Sequence, residues 1–114
     1  MNVFISYSLE DGEFARKLIS RLQKAGLEVW DAASQVAVGD NWALKTGKAL
    51  EKSDAMIVLI SPASAKSHMV QKEIEYALTK ERFQDRLIPV VVKPTTKYPW
   101  ILEHMQMERG NPPK

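Results

Sequence analysis

This sequence predicts an α/β domain built on a doubly wound parallel sheet, and three observations predict it. Short apolar runs at residues 3–7, 27–30, 56–60 and 87–92 alternate with segments whose apolar residues recur at helical spacing. The central run, Met56-Ile57-Val58-Leu59-Ile60, is unbroken, the pattern of a strand covered on both faces. Strands that alternate with helices pair in parallel, with helices on both sides of the sheet.

In chain order, Val3-Phe4-Ile5-Ser6-Tyr7 is the first strand. Ser8-Leu9-Glu10-Asp11 has capping-box spacing, with Asp in place of the usual Glu. Phe14, Ala15, Leu18, Ile19 and Leu22 mark one face of a helix, and Gly26 is a natural left-handed stop. Leu27-Glu28-Val29-Trp30 is the second strand, and Asp31 to Gly39 reads as a loop. Asp40 is placed to cap a second helix with Trp42, Thr46, Ala49 and Leu50 inward. The strand at Met56–Ile60 ends at Pro62, which cannot donate to a ladder. A polar loop at 63–68 leads to a helix marked by Val70, Ile74, Ala77 and Leu78. Glu73 falls at the margin of that apolar face, where a carboxylate is half shielded. Leu87 to Val92 is the fourth strand, with Pro89 near its start. Beyond it, residues 98–102 suggest a helical turn, and Met105-Gln106-Met107 a stub of a fifth strand. The expected sheet is flavodoxin-like, of four to five strands in the order 2-1-3-4-5.

A chain of 114 residues, 45% hydrophobic and 26% charged, is long enough for one packed core. No apolar run approaches the ~20 residues that cross a bilayer, and no signal peptide opens the chain. With no cysteine, neither disulfides nor thiolate chemistry are available, and a cytoplasmic protein is expected. The formal charge of +2 comes from scattered basic residues, so no direct nucleic-acid binding is expected. His68 and His104 lie apart without a spaced ligand set, so no metal site is expected.

In the 2-1-3-4-5 order the chain changes direction between strands one and three. Ligands bind outside the carboxyl ends of strands at such a switch point. Here that directs attention to Tyr7, Ser8, Ser61 and Glu73. A phosphate-acceptor site would need carboxylates after strand one and an Asp at the end of strand three; these positions read Ser6-Tyr7 and Ser61. The acidic Ser8-Leu9-Glu10-Asp11 would repel the phosphate of a flavin mononucleotide. There is no GxGxxG and no Walker loop.

Several ordered motifs resemble those of the Toll/interleukin receptor (TIR) domain, in its bacterial style. Val3-Phe4-Ile5-Ser6-Tyr7-Ser8 with Glu10-Asp11 is similar to its first motif. Gly26 to Asp31, then Gly39-Asp40-Asn41-Trp42, resembles its second strand, BB loop and second helix. Ser61-Pro62 through Ser67, then Val70-Gln71-Lys72-Glu73-Ile74, resembles the third motif, and Ile88-Pro89-Val90 the fourth strand. The expected domain is 1–109, with 110–114 a linker to a C-terminal region not included here.

The resemblance implies one of two functions. Many bacterial and plant members cleave NAD+ at the nicotinamide–ribose bond, often in antiphage defence, with a catalytic glutamate on the third helix. Glu73 matches that position. NAD+ is then a substrate, and no cofactor is implied. Other members are scaffolds that bind other TIR domains without catalysis. A related nucleoside deoxyribosyltransferase, which also uses a glutamate on such a fold, is a distant third. Tyr7 and Trp42 are candidate walls for the nicotinamide or ribose, and Ser8, Ser61 and Met69 complete the expected substrate-binding set. Cleaving members commonly carry Trp four residues before the glutamate, where this chain has Met69, and Ser8 stands where some place a basic residue. The resemblance also implies self-association through the BB loop, here Ala32 to Val38. It carries Val36 and Val38, with no charge between Asp31 and Asp40. Either those valines meet a neighbouring copy or they tuck against Trp30 or Trp42.

Overall fold

The structure, a computed structural model, describes residues 1–35, 41–80, 83, 86–93 and 108–109. Its sheet is parallel throughout, five strands in the order 2-1-3-4-5: β1 Asn2–Ser6, β2 Glu28–Asp31, β3 Ala55–Ile60, β4 Leu87–Val91 and β5 Glu108–Arg109. The helices are α1 Gly12–Lys24, α2 Ala32–Gln35, α3 Trp42–Lys52, α4 Pro62–Ala65 and α5 His68–Leu78.

Strand alternation divides the core in two. On one face Phe4, Met56, Val58 and Ile60 meet Ala49 and Leu50 of α3 and Val70, Ile74 and Ala77 of α5. On the other, Val3, Ile5, Tyr7, Ile57 and Leu59 meet Ala15 and the half-buried Phe14, Leu18, Ile19 and Leu22 of α1. Every residue of β3 is buried, as its unbroken apolar run requires. Each large side chain buried this way contributes about 1.5–3 kcal/mol. Gly26 has φ 93°, the left-handed stop expected after α1.

Several boundaries differ from the sequence expectation. The segment read as a loop from Asp31 opens instead with the last residue of β2 and the short helix α2. The cap of α3 is Asn41 rather than Asp40: its side chain accepts from the Leu44 amide at 3.0 Å, three residues on, the reach of an N-cap. The loop after β3 begins with a helical turn, α4, because Ser61 and Ser64 form a reciprocal capping box around Pro62 at the first helical position. A fifth strand is present at Glu108–Arg109, paired with Val90 and Val91. The expected turn at 98–102, His104, residues 105–107 and the linker at 110–114 lie outside the described residues. Among the described residues, no helix is long and apolar enough to cross a membrane.

Candidate active site

Two serine–carboxylate contacts sit at the carboxyl edge of the sheet. The first joins β1 to α5. Phe4 and Ser6 point to the same face, so Ser6 continues an apolar row with a hydroxyl. Glu73 stands in the helical stripe of Val70, Ile74 and Ala77 that packs on that face. The Ser6 hydroxyl therefore donates to Glu73 Oε1 at 2.6 Å, and both residues are fully buried. Glu73 Oε2 is buried with no hydrogen-bond partner among the described residues. Burial pushes the carboxyl pKa up from 4.5 to about 7, opposed by the Ser6 bond. Glu73 is thus covered completely, not half shielded at a margin. The i, i+3, i+4 spacing places it in the middle of the buried stripe.

The second contact joins the turn after β1 to the end of β3. Ser61 donates to Asp11 Oδ2 at 2.5 Å, and both are buried. The same hydroxyl accepts from the Ser64 amide at 3.1 Å, and the Ser61 amide donates to Ser64 Oγ at 2.8 Å. Ser61 is thus wholly engaged in capping α4 and holding Asp11.

The other expected site residues are distributed unevenly. Tyr7 packs on the α1 face of the sheet, the side away from Glu73, and its hydroxyl donates to Asp31 Oδ1 at 2.6 Å. Burial, then that acidic partner, moves its pKa upward. Ser8 is half-buried and accepts weakly from the Glu10 amide at 3.4 Å. Met69 is half-buried on the first turn of α5, one turn before Glu73. Trp42 opens α3, but its side chain, with Val36 and Val38, lies outside the described residues. Sequence reasoning missed Ser6 and Asp11. Strand parity held the signal for Ser6, the polar residue in line with Phe4.

A cavity of about 340 Å³ lies elsewhere, between β2 and α3, with Val29, Trp30, Lys45 and Ala49 among its walls. It includes Asn2 and Glu28, at the amino ends of their strands, and none of the serine–carboxylate residues. The paired contacts at the carboxyl edge, not this cavity, mark the candidate site.

The sequence pattern of the TIR domain matches residues 3–109. The chain belongs to the TIR-domain family. Its fold is similar to the TIR domain of the Toll-related receptor TRR-2 from Hydra magnipapillata, with TM-score 0.82, 27% identity, and coverage of 95% of this chain and 82% of that one. The TIR domains of the activated Roq1 resistosome share the fold at TM-score 0.67 and 23% identity, covering 81% of this chain and 57% of theirs. A protein named NAD(+) hydrolase TcpA, from Theionarchaea archaeon (strain DG-70-1), is 35% identical over 81 residues. Those residues are 70% of this chain and 25% of the archaeal protein, so this TIR domain spans about a quarter of that relative.

Proposed function

We propose that this domain cleaves NAD+ at the nicotinamide–ribose bond, with Glu73 as its catalytic carboxylate. The observation that carries the reading is the buried Glu73 with one oxygen held by Ser6 and the other without a partner among the described residues, at the carboxyl ends of the strands. The archaeal relative's name supports the substrate class.

One carboxylate suffices for this chemistry. The nicotinamide of NAD+ is a cationic pyridinium and leaves as a neutral molecule, so no general acid is needed. The transition state resembles an oxocarbenium ion, as in glycoside hydrolysis, without the second carboxyl of the usual pair. Ionised Glu73 would accept from the ribose hydroxyls and stabilise the developing positive charge. Water then takes the ribosyl carbon to give ADP-ribose, or an internal nucleophile gives a cyclised isomer.

Glu73 is fully covered in this state, so substrate reaches it only when its surroundings move. That supports activation by self-assembly, with a second copy reshaping the segment from Ala32 to Val38. In this reading the domain acts in the cytoplasm, in antiphage defence, with NAD+ and other TIR copies as its partners. The scaffold reading is favoured by one observation: Met69 offers no indole face beside Glu73. Incubating concentrated protein with NAD+ and separating the products decides between them. Released nicotinamide supports cleavage, and intact NAD+ under assembling conditions supports the scaffold.

A further inference from the structure

The two oxygens of Glu73 are not equivalent, and the difference has a chemical use. Oε1 accepts from Ser6 at 2.6 Å, whereas Oε2 is buried without a partner among the described residues. A buried acceptor left unpaired is costly and uncommon in folded proteins. We propose that Ser6 is a positioning residue that pins Glu73 by Oε1 and reserves Oε2 for a hydroxyl of the substrate ribose. This inference rests on the reading of Glu73 as the cleaving carboxylate, and adds a residue and an atom to it.

The backbone makes Ser6 suited to the task. It is the last residue of β1, held in register against Val58 of β3. Its hydroxyl is therefore carried by a fully buried position on an interior strand of the sheet. A serine donor favours the ionised carboxylate, the form that stabilises a cation. With Oε1 satisfied, the carboxylate is held in one rotation and turns its other oxygen to the incoming hydroxyl. A bond from that hydroxyl to Oε2 would favour ionisation further, so substrate binding and proton release from Glu73 are coupled.

The surroundings add no competing charge among the described residues. β3 and α4 carry no ionisable side chain, and β1 carries none. On α3, Lys45, Lys48, Glu51 and Lys52 are exposed, and on α5 so are His68, Lys72 and Glu75. Tyr76 of α5 is half-buried. The Ser6 hydroxyl is thus the described side chain that opposes the effect of burial on Glu73.

The test is a series at one position, Ser6→Thr, Ser6→Cys and Ser6→Ala, beside wild type and Glu73→Gln. NAD+ cleavage is measured across pH, and the Glu73 carboxyl is titrated separately by 13C NMR of glutamate-labelled protein, with Glu73→Gln assigning the signal. As the hydroxyl weakens to a thiol and then vanishes, the carboxyl midpoint and the rising limb of the pH–rate profile should both move upward. For Ser6→Ala the shift should be about one pH unit. At neutral pH kcat should fall roughly 10-fold with KM changed much less, and Ser6→Thr should retain most of it. An unchanged midpoint and profile across the series, with Glu73→Gln inactive, overturns the role of Ser6 alone. Wild-type turnover by Glu73→Gln overturns the reading of Glu73 instead. The midpoint order can be read from any two variants, so failure of one to fold does not rescue the proposal.

Discussion

Ser6–Glu73 and Ser61–Asp11 are the same pair of groups at the same edge of the sheet, yet they are finished differently. Both serines donate to a buried carboxylate, at 2.6 and 2.5 Å. Ser61 is also locked into a capping box with Ser64, so its contact closes a local network that fastens the turn after β1 to the end of β3. Ser6 donates to Oε1 and leaves Glu73 Oε2 without a partner among the described residues. A completed network stabilises, whereas an incomplete one in a packed core costs stability and persists where function needs it. The comparison fits Asp11 as a brace and supports the proposed catalytic role of Glu73.

The largest expected effect is in the pH dependence of stability. Glu73 has its folded pKa raised from 4.5 to about 7, so the folded chain holds its proton more tightly than the unfolded chain. Stability from this group is then fully present below the unfolded value and is lost as pH rises toward and through 7. The loss amounts to roughly 3 kcal/mol, from the size of that shift. Glu73→Gln has no proton to lose. Urea melts across this range should show wild type falling more steeply than the variant, and parallel curves would break the contrast.

Asp11→Ala should act at all of these pH values alike. It removes the acceptor from a buried Ser61 hydroxyl, and urea melts should show a loss of about 1–3 kcal/mol. A neutral result would mean that the brace is not needed. Val36→Asp should leave the fold intact and reduce assembly, with turnover per molecule falling in step by sedimentation and NAD+ assay. Wild-type turnover independent of concentration, matched by the variant, would mean that one chain completes the site. The smallest effect is expected of Met69→Trp, which places a rigid ring one turn from Glu73 and should raise turnover modestly, at some risk of overpacking. A folded variant with unchanged turnover would remove Met69 from the site.

Much of the fold is legible in the sequence. The strand order follows from the alternation of elements, and the position of Glu73 follows from helical spacing on α5. Its complete burial was not, because periodicity alone places a residue on a face without saying what covers it. Ser6 was readable from strand parity with Phe4, but a single hydroxyl in an apolar run carries little weight until a partner is known. Asp11 pairs with Ser61 across 50 residues of sequence, and no local pattern reports a contact of that range. The turn at α4 was hidden because Ser-Pro reads equally as a strand stop and as a helix start.

The most direct test is NAD+ turnover by concentrated wild type and Glu73→Gln side by side, with each variant shown to be folded and assembled to the same degree. The account predicts nicotinamide release by wild type and a loss of ~100-fold or more in Glu73→Gln, on the scale of removing a principal electrostatic stabiliser. Equal release by the two proteins would contradict it.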